Sequence, residues 1–477
     1  MIRVLALVFL VTATVSAQDL GETSFENSGL EVAQEPFLRG LLLLHSFEYV
    51  DARDAFQEAR RLDPDFAMAA WGEAMTHNHP IWQRQDRDAA RAALEDVDWS
   101  GASEREQAYA ATLDVLFGEG DKEARDDAYA EAMEDLAMRY PDDLDAQSFY
   151  ALALLGTAHE GRDFTVYMKA AAVAEEVFDV NPRHPGAAHY LIHAYDDPVH
   201  APLGLRPARV YADVALAASH ALHMPSHIYL ALGMWEDVAE MNERSYRAAK
   251  AGSDRRGEAL NGHGWHALWW WHYATTQLDQ QGESARLLEI AKQHVRDDED
   301  GSTAIAHVAR MASAHASAYG DVTALDDPAL APSALESVGL TTRAIRWLPT
   351  VVDWIEAERL EDASAWVEQF ALEVDASEDP SWTVRSALAQ LQGRLLIAQG
   401  ALEDGLARLQ HAAALEAEAP LTFGPPAPVV PSNEAYGHAL LEAGRDLEAE
   451  SAFRAVLDRA PNRRQAVAGV DAARSGR

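Results

Sequence analysis

The sequence predicts an all-α chain, a right-handed α-solenoid of helix-turn-helix repeats, on three observations. Small and apolar residues recur with a helical period through most of the 477 residues, as in Ala108, Ala111, Val115 and Leu116. No stretch keeps the two-residue alternation of a half-buried strand. The pattern His189-x-x-x-His193 returns as His223-x-x-x-His227, with corresponding histidines 34 residues apart. Internal repetition at that period marks stacked helix pairs. Their shared core grows along one axis, so this length does not require several globular domains.

The elements follow in order. Arg3, the apolar run from Val4 to Val11 and the small-residue site Val15-Ser16-Ala17 have the form of a signal peptide over residues 1–17. We therefore expect an exported chain, periplasmic or extracellular. No later segment reaches membrane-spanning length, so no span is expected after cleavage. There is no cysteine, which excludes disulfides and a lipidated cysteine, and stability must come from packing. Residues 18–32 are a polar, weakly patterned lead-in.

Repeats are expected over 33–100. Counted from Ala33, Gly40, Tyr49, Ala52, Phe56, Ala59 and Pro64 fall at positions 8, 17, 20, 24, 27 and 32 of the tetratricopeptide consensus. Small residues there let two helices approach, large ones fill the gap, and the proline ends the second helix. A second repeat begins near Ala67 and ends irregularly around Trp99. Helical repeats continue over 101–182, closed by Pro141 and Pro182. The histidine-rich repeats occupy 183–320, with starts at Pro185 and Ser219. Between those starts, residues 196–207 hold so much proline and glycine that they read as an inserted loop. Pro225 breaks the first turn of its unit, so that helix is expected to start at Pro225 itself, with His223 at its entry. C-terminal repeats span 340–477, interrupted by a proline-rich connector at 420–432.

Candidate chemistry gathers on the histidines. In tetratricopeptide arrays the first helix of each repeat lines the concave groove at positions 2, 5, 9, 12 and 13, and histidines recur at those positions. Imidazoles at i and i+4 share one helix face and can chelate one ion, and imidazole binds copper, zinc, nickel or iron. The expected metal ligands are His189, His193, His223, His227 and Asp197, with His45, His79, His220 and His266 in a second rank. Asp196 is the alternative acidic neighbour, either as an oxygen ligand or orienting a ring. Without a thiol the expected ion is copper or zinc. The bland counterpart is a set of hydrogen-bonded polar residues on a groove.

Other signals are weak. The run Trp265 to Trp271 reads as packing before it reads as a stacking platform, since Trp269 and Trp270 cannot face one way. Gly262-His263-Gly264-Trp265-His266-Ala267 fits a loose dinucleotide pattern, but no strand precedes it, so no nucleotide cofactor is expected. Ser226 beside His223 is marked as a nucleophile only by proximity. The net charge of −38 excludes nucleic acid as a partner, because phosphates would be repelled.

The segments Leu44-His45-Ser46-Phe47, Ala67-Met68-Ala69-Ala70-Trp71-Gly72, His184-Pro185-Gly186-Ala187-Ala188-His189-Tyr190, His223-Met224-Pro225-Ser226-His227-Ile228 and Phe423-Gly424-Pro425-Pro426 together resemble a largely uncharacterised family of exported bacterial tetratricopeptide-repeat proteins. Against that resemblance, Trp269-Trp270-Trp271 after His266-Ala267-Leu268 is a departure. The resemblance implies the fold and export, and implies no activity. Three readings stay open: a binding protein holding a transition metal or small ligand in its groove, a metal-dependent enzyme using the same cluster, and a metal-free scaffold for a peptide or protein partner.

Overall fold

The structure, a computed structural model, describes residues 20–297, 302–335, 338–420 and 424–476. The expected signal peptide and Phe423 lie outside them. Helices dominate. They begin with α1 (Glu31–His45), α2 (Tyr49–Leu62), α3 (Ala67–Met75) and α4 (Arg87–Leu94), then α5 (Glu104–Leu116), α6 (Lys122–Arg139), α7 (Leu144–Gly156) and α8 (Phe164–Val180). The histidine-rich region comprises α9 (Pro185–Tyr195), α10 (Ala201–Tyr211), α11 (Ser219–His223), α12 (Pro225–Ala231), α13 (Trp235–Arg256), α14 (Gly262–Gln277), α15 (Gln281–Asp297) and α16 (Ser302–Tyr319). The C-terminal part contains α17 (Pro332–Leu335), α18 (Leu340–Glu356), α19 (Leu360–Asp375), α20 (Trp382–Ala398), α21 (Leu402–Ala417), α22 (Ser432–Glu442), α23 (Asp446–Arg459) and α24 (Arg464–Ser475). Successive helices pack in pairs, and the chain is an all-α repeat solenoid.

Helix starts are written locally. The side chains of Asp86, Ser103, Asp121, Asp143 and Asp163 each accept from a free backbone N–H of the first turn, and Ser103 with Glu106 forms a reciprocal capping box. The consensus small residues do the packing work assigned to them. A Cβ placed on Gly40 would sit 2.9 Å from the Phe56 ring, and one on Gly72 only 2.3 Å from it. Phe453 repeats the device near the other end, with corresponding approaches of 2.8 Å at Gly437 and 2.5 Å at Gly469. Each ring is clamped between glycines of two successive repeats.

Two sequence expectations are corrected. The region after α3 is not purely helical: Asn78–His79 pairs antiparallel with Arg84–Gln85 around a single 3-10 turn at Pro80–Trp82. Only residues 196–200 of the expected 196–207 loop are irregular, because α10 begins at Ala201. Pro202 sits in its first turn, where a missing N–H costs nothing, and Gly204 leaves room for Ile228. The second histidine unit starts a helix at Pro225 as expected, and the short α11 precedes it, with Met224 keeping helical angles across the junction.

The lead-in is firmly packed. Leu20 and Phe25 are buried, Thr23 donates to Asp145 at 2.8 Å, and the Ser28 N–H donates to Glu106 at 2.8 Å. At the other end the solenoid curls back on its middle. Trp235 donates through its indole N–H to the carbonyl of Asn462 at 2.9 Å, and Asn462 donates to Gly233. Buried Arg463 donates to Glu434 at 2.6 and 2.9 Å and to the Tyr273 hydroxyl at 2.7 Å. The following Arg464 reaches Gln277 and the Ala318 carbonyl. This closure joins α12 to α14 with the last repeat.

Removing Arg463 would leave Glu434 buried without its counter-charge. Arg463→Ala is expected to cost about 3–5 kcal/mol and to lower the urea midpoint. Glu434→Gln with Arg463→Met should recover much of that loss. Equal midpoints for wild type and Arg463→Ala would show that the closing contact does not stabilise the fold.

Candidate functional site

Three segments bring the histidines together. His184 caps α9 by accepting the Ala187 N–H on Nδ1 at 3.3 Å, and Pro185 occupies the first turn. This start places His189 and His193 one helical turn apart, both buried. The α11–α12 run carries His220, His223 and His227, and α14 brings His263 and His266. His189, His193 and His220 offer ring nitrogens that all lie within 4.8 Å of one another, and so do those of His223, His227 and His266.

The hydrogen bonds fix the tautomers. His189 Nδ1 faces the His45 carbonyl at 2.7 Å, and a carbonyl only accepts, so Nδ1 carries the proton. The Asn242 amide nitrogen donates to the Val238 carbonyl, which leaves its oxygen 2.6 Å from His223 Nδ1. Asp196 lies 2.5 Å from His227 Nδ1. Both Nδ1 atoms of this pair are therefore donors, yet the two Nε2 atoms face each other at 3.0 Å. Two neutral rings held this way would oppose their lone pairs. The pair needs one positive charge between its rings, supplied by a proton or by a metal ion.

The first triad differs in detail. His193 Nε2 stands 3.2 Å from His189 Nε2 and can donate to it with both rings neutral. His220, 6% exposed, nevertheless keeps its Nε2 buried without a hydrogen-bond partner. Nitrogens each about 2.0–2.1 Å from zinc stand roughly 3.0–3.4 Å apart at bond angles of about 90–110°. The observed separations match the edge of such a coordination shell.

Burial keeps these rings basic in the coordination sense. It pushes His189 down to about 3, and it holds His193, His220, His223 and His266 well below the ordinary histidine range, with neighbouring imidazoles adding to the effect. These rings are therefore neutral at neutral pH. His263 goes the other way: burial lowers it, but the Glu48 carboxylate 3.6 Å from its ring outweighs burial. Glu48 also accepts from the Ser219 hydroxyl and the His220 N–H, both at 2.8 Å.

Aromatic walls surround the cluster. Phe47 holds a left-handed backbone conformation, φ 56°, unfavourable for a residue with a Cβ. That turn presses its ring to 4.3 Å from His189 and 5.7 Å from His193 and His220. Trp270 lies 4.7 Å from His223 and 4.6 Å from His227, and its other side meets Gly424 of the connector. The Trp265–Trp271 run is thus mostly packing, with Trp270 serving as a wall of the site. A cleft of about 640 Å³ lined by Phe47, Glu48, Tyr49, His79 and His263 reaches the cluster from solvent.

The remaining candidates stand elsewhere. Asp197 is taken up by Arg162 at 3.0 Å, His200 at 2.8 Å and the backbone N–H of Val199, so it orders the loop, and its neighbour Asp196 meets the cluster. His79 stacks on Tyr49 at 3.8 Å and bonds the Thr76 carbonyl, outside both triads. His45 belongs to a third group with Asp145 and His184. There His45 Nε2 donates to Asp145 at 2.9 Å, His184 Nε2 donates to it at 3.3 Å, and Tyr190 donates to His45 Nδ1. Every proton in that group has a place, so it is complete without an ion. Ser226 is fully buried and donates to the His223 carbonyl at 2.6 Å, which marks no nucleophile. Sequence reasoning missed Asn242 and Glu48, which carry no motif of their own.

No protein-family model and no curated protein matches the chain. Similar solved structures include the TPR domain of P58(IPK), at 12% identity and TM-score 0.24, spanning 94% of this chain and 98% of that one. The yeast Tom70 is similar at 13% identity and TM-score 0.37, over 94% of this chain and 90% of that one. Cut9 with Hcn1 from the APC/C gives 11% identity and TM-score 0.35, over 92% and 76%. At these TM-scores the likeness carries no argument about function.

Histidines held neutral by burial make the apoprotein acid-labile. A folded pKa below the unfolded value means that the unfolded chain binds more protons, so stability is lost as pH falls below about 6.5. His45 is lowered to about 4, His189 and His272 to about 3, and His307 to about 4, in each case chiefly by burial. Each adds about 1.4 kcal/mol per pH unit between about pH 6 and 4.5. Urea midpoints of metal-free protein should drop steeply over that window. A flat profile there would contradict the neutral, buried assignment.

Proposed function

We propose that the chain is an exported tetratricopeptide-type binding protein whose buried histidine cluster holds a transition metal, copper or zinc. The observation that carries this reading is the 3.0 Å approach of His223 Nε2 and His227 Nε2 while Asn242 and Asp196 occupy both Nδ1 atoms. A metal ion satisfies both lone pairs at once, and His266 adds a third nitrogen. Acceptors that fix the far side of a ligating imidazole are the usual companions of a metal-bound histidine. A proton could serve His223 and His227 alone, but it leaves His220 Nε2 unpartnered. The leader-like residues 1–17 support export, an oxidising setting that this cysteine-free chain tolerates.

Protein purified without chelator should carry at least about one copper or zinc ion per chain by elemental mass spectrometry. The double variant His193→Ala with His227→Ala should lose it while keeping the far-UV helical signal. Full metal content in that variant would sink the assignment. A wild type that is metal-free and takes up neither ion would favour a scaffold for a protein or peptide partner.

A further inference from the structure

We propose that the cluster is a dinuclear copper centre, one ion on His189, His193 and His220 and a second on His223, His227 and His266. This rests on the metal-binding reading above and adds the number of ions and their kind. Each triad independently brings three ring nitrogens within 4.8 Å of one another. The triads are neighbours: the His193 ring lies 6.2 Å from that of His227, and the His220 ring 6.2 Å from that of His223. Each also contains a contact between Nε2 atoms of histidines one turn apart, at 3.2 and 3.0 Å. One ion at the His223–His227 contact leaves His220 Nε2 orphaned, and a second ion on the first triad answers it.

Charge selects the metal. All six ligands are imidazoles, which bring no negative charge to a bound ion. Among the described residues, the carboxylates in contact with the cluster are Asp196, on His227, and Glu48, on the His220 N–H and 3.6 Å from His263. Buried positive charge must be matched by nearby negative charge. Two divalent ions would set four positive charges against at most two carboxylates, one of them shared with His263, whereas two cuprous ions set only two. Imidazole suits copper as well as zinc, so the charge balance favours the monovalent ion. Phe47 packs on the first triad and Trp270 on the second, which sets apolar rings beside a low-charge pair.

The test loads metal-free, full-length protein with cuprous ion under anaerobic conditions, removes the excess by desalting and counts copper by elemental mass spectrometry. The expected result is about two copper ions per chain, falling by about one in His220→Gln or His266→Gln with the helical signal kept. Ferricyanide then oxidises each copper by one electron and is itself reduced to ferrocyanide. A coupled pair should give an electron paramagnetic resonance signal integrating to far less than the bound copper. A count of about one would overturn the pair and leave the single-metal reading standing. About two ions with a full spin count would overturn it in favour of separate sites. No copper at all would remove both readings. The wild-type count and spin integration need no variant, so a variant that fails to fold leaves the test intact.

Discussion

Everything near the centre of this molecule depends on one constraint: a buried imidazole has two polar edges, and both must be answered. Leaving a buried polar group unsatisfied costs about 1–3 kcal/mol, and at least eight histidines meet within a few helical turns of one another here. One edge each of His189, His223 and His227 is met by a group from another helix or loop. The His45 carbonyl comes from α1, Asn242 from α13 and Asp196 from the loop after α9. The other edges converge on shared points. The repeats are stitched together by the needs of their histidines as much as by apolar contact.

Those needs explain several local departures from the repeat ideal. Phe47 takes up a left-handed turn so that its ring covers the cluster while the His45 carbonyl, two residues earlier, reaches His189. The His223–His227 helix tolerates Pro225 because a short helical turn before it brings His220 into reach. Trp270 is fixed between the imidazoles and Gly424, where a Cβ would approach the indole to 2.8 Å. Departures from local rules collect where a site is built, since the surrounding fold can hold them in place.

Much of the fold was legible. The packing of Phe56 on Gly40 is the consensus spacing read directly as contact. His189, His193, His223 and His227 stood out by spacing, His220 by its position on the groove face, and His266 by lying three residues after His263. What escaped was whatever depends on tertiary placement. The choice between Asp196 and Asp197 turns on which carboxylate Arg162 and His200 capture, and adjacent residues give no hint of it. Asn242 and Glu48 are ordinary helix-surface and turn residues until the chain folds. The helix at Ala201 was hidden by prolines that its first turn accommodates. The small ladder at Asn78–Gln85 spans too few residues to leave a pattern.

The return of Asn462 and Arg463 onto Gly233 and Tyr273 joins positions 229 and 190 residues apart in sequence. An open repeat array behaves as a row of nearest neighbours, in which a segment can unravel from either end without disturbing the middle. Fastening the row into a loop removes that freedom. The end that would fray first now holds the connector against Trp270, and an opening there must be shared with the histidine cluster. Local breathing at the C-terminus and access to the buried rings thereby become one event, governed by one equilibrium.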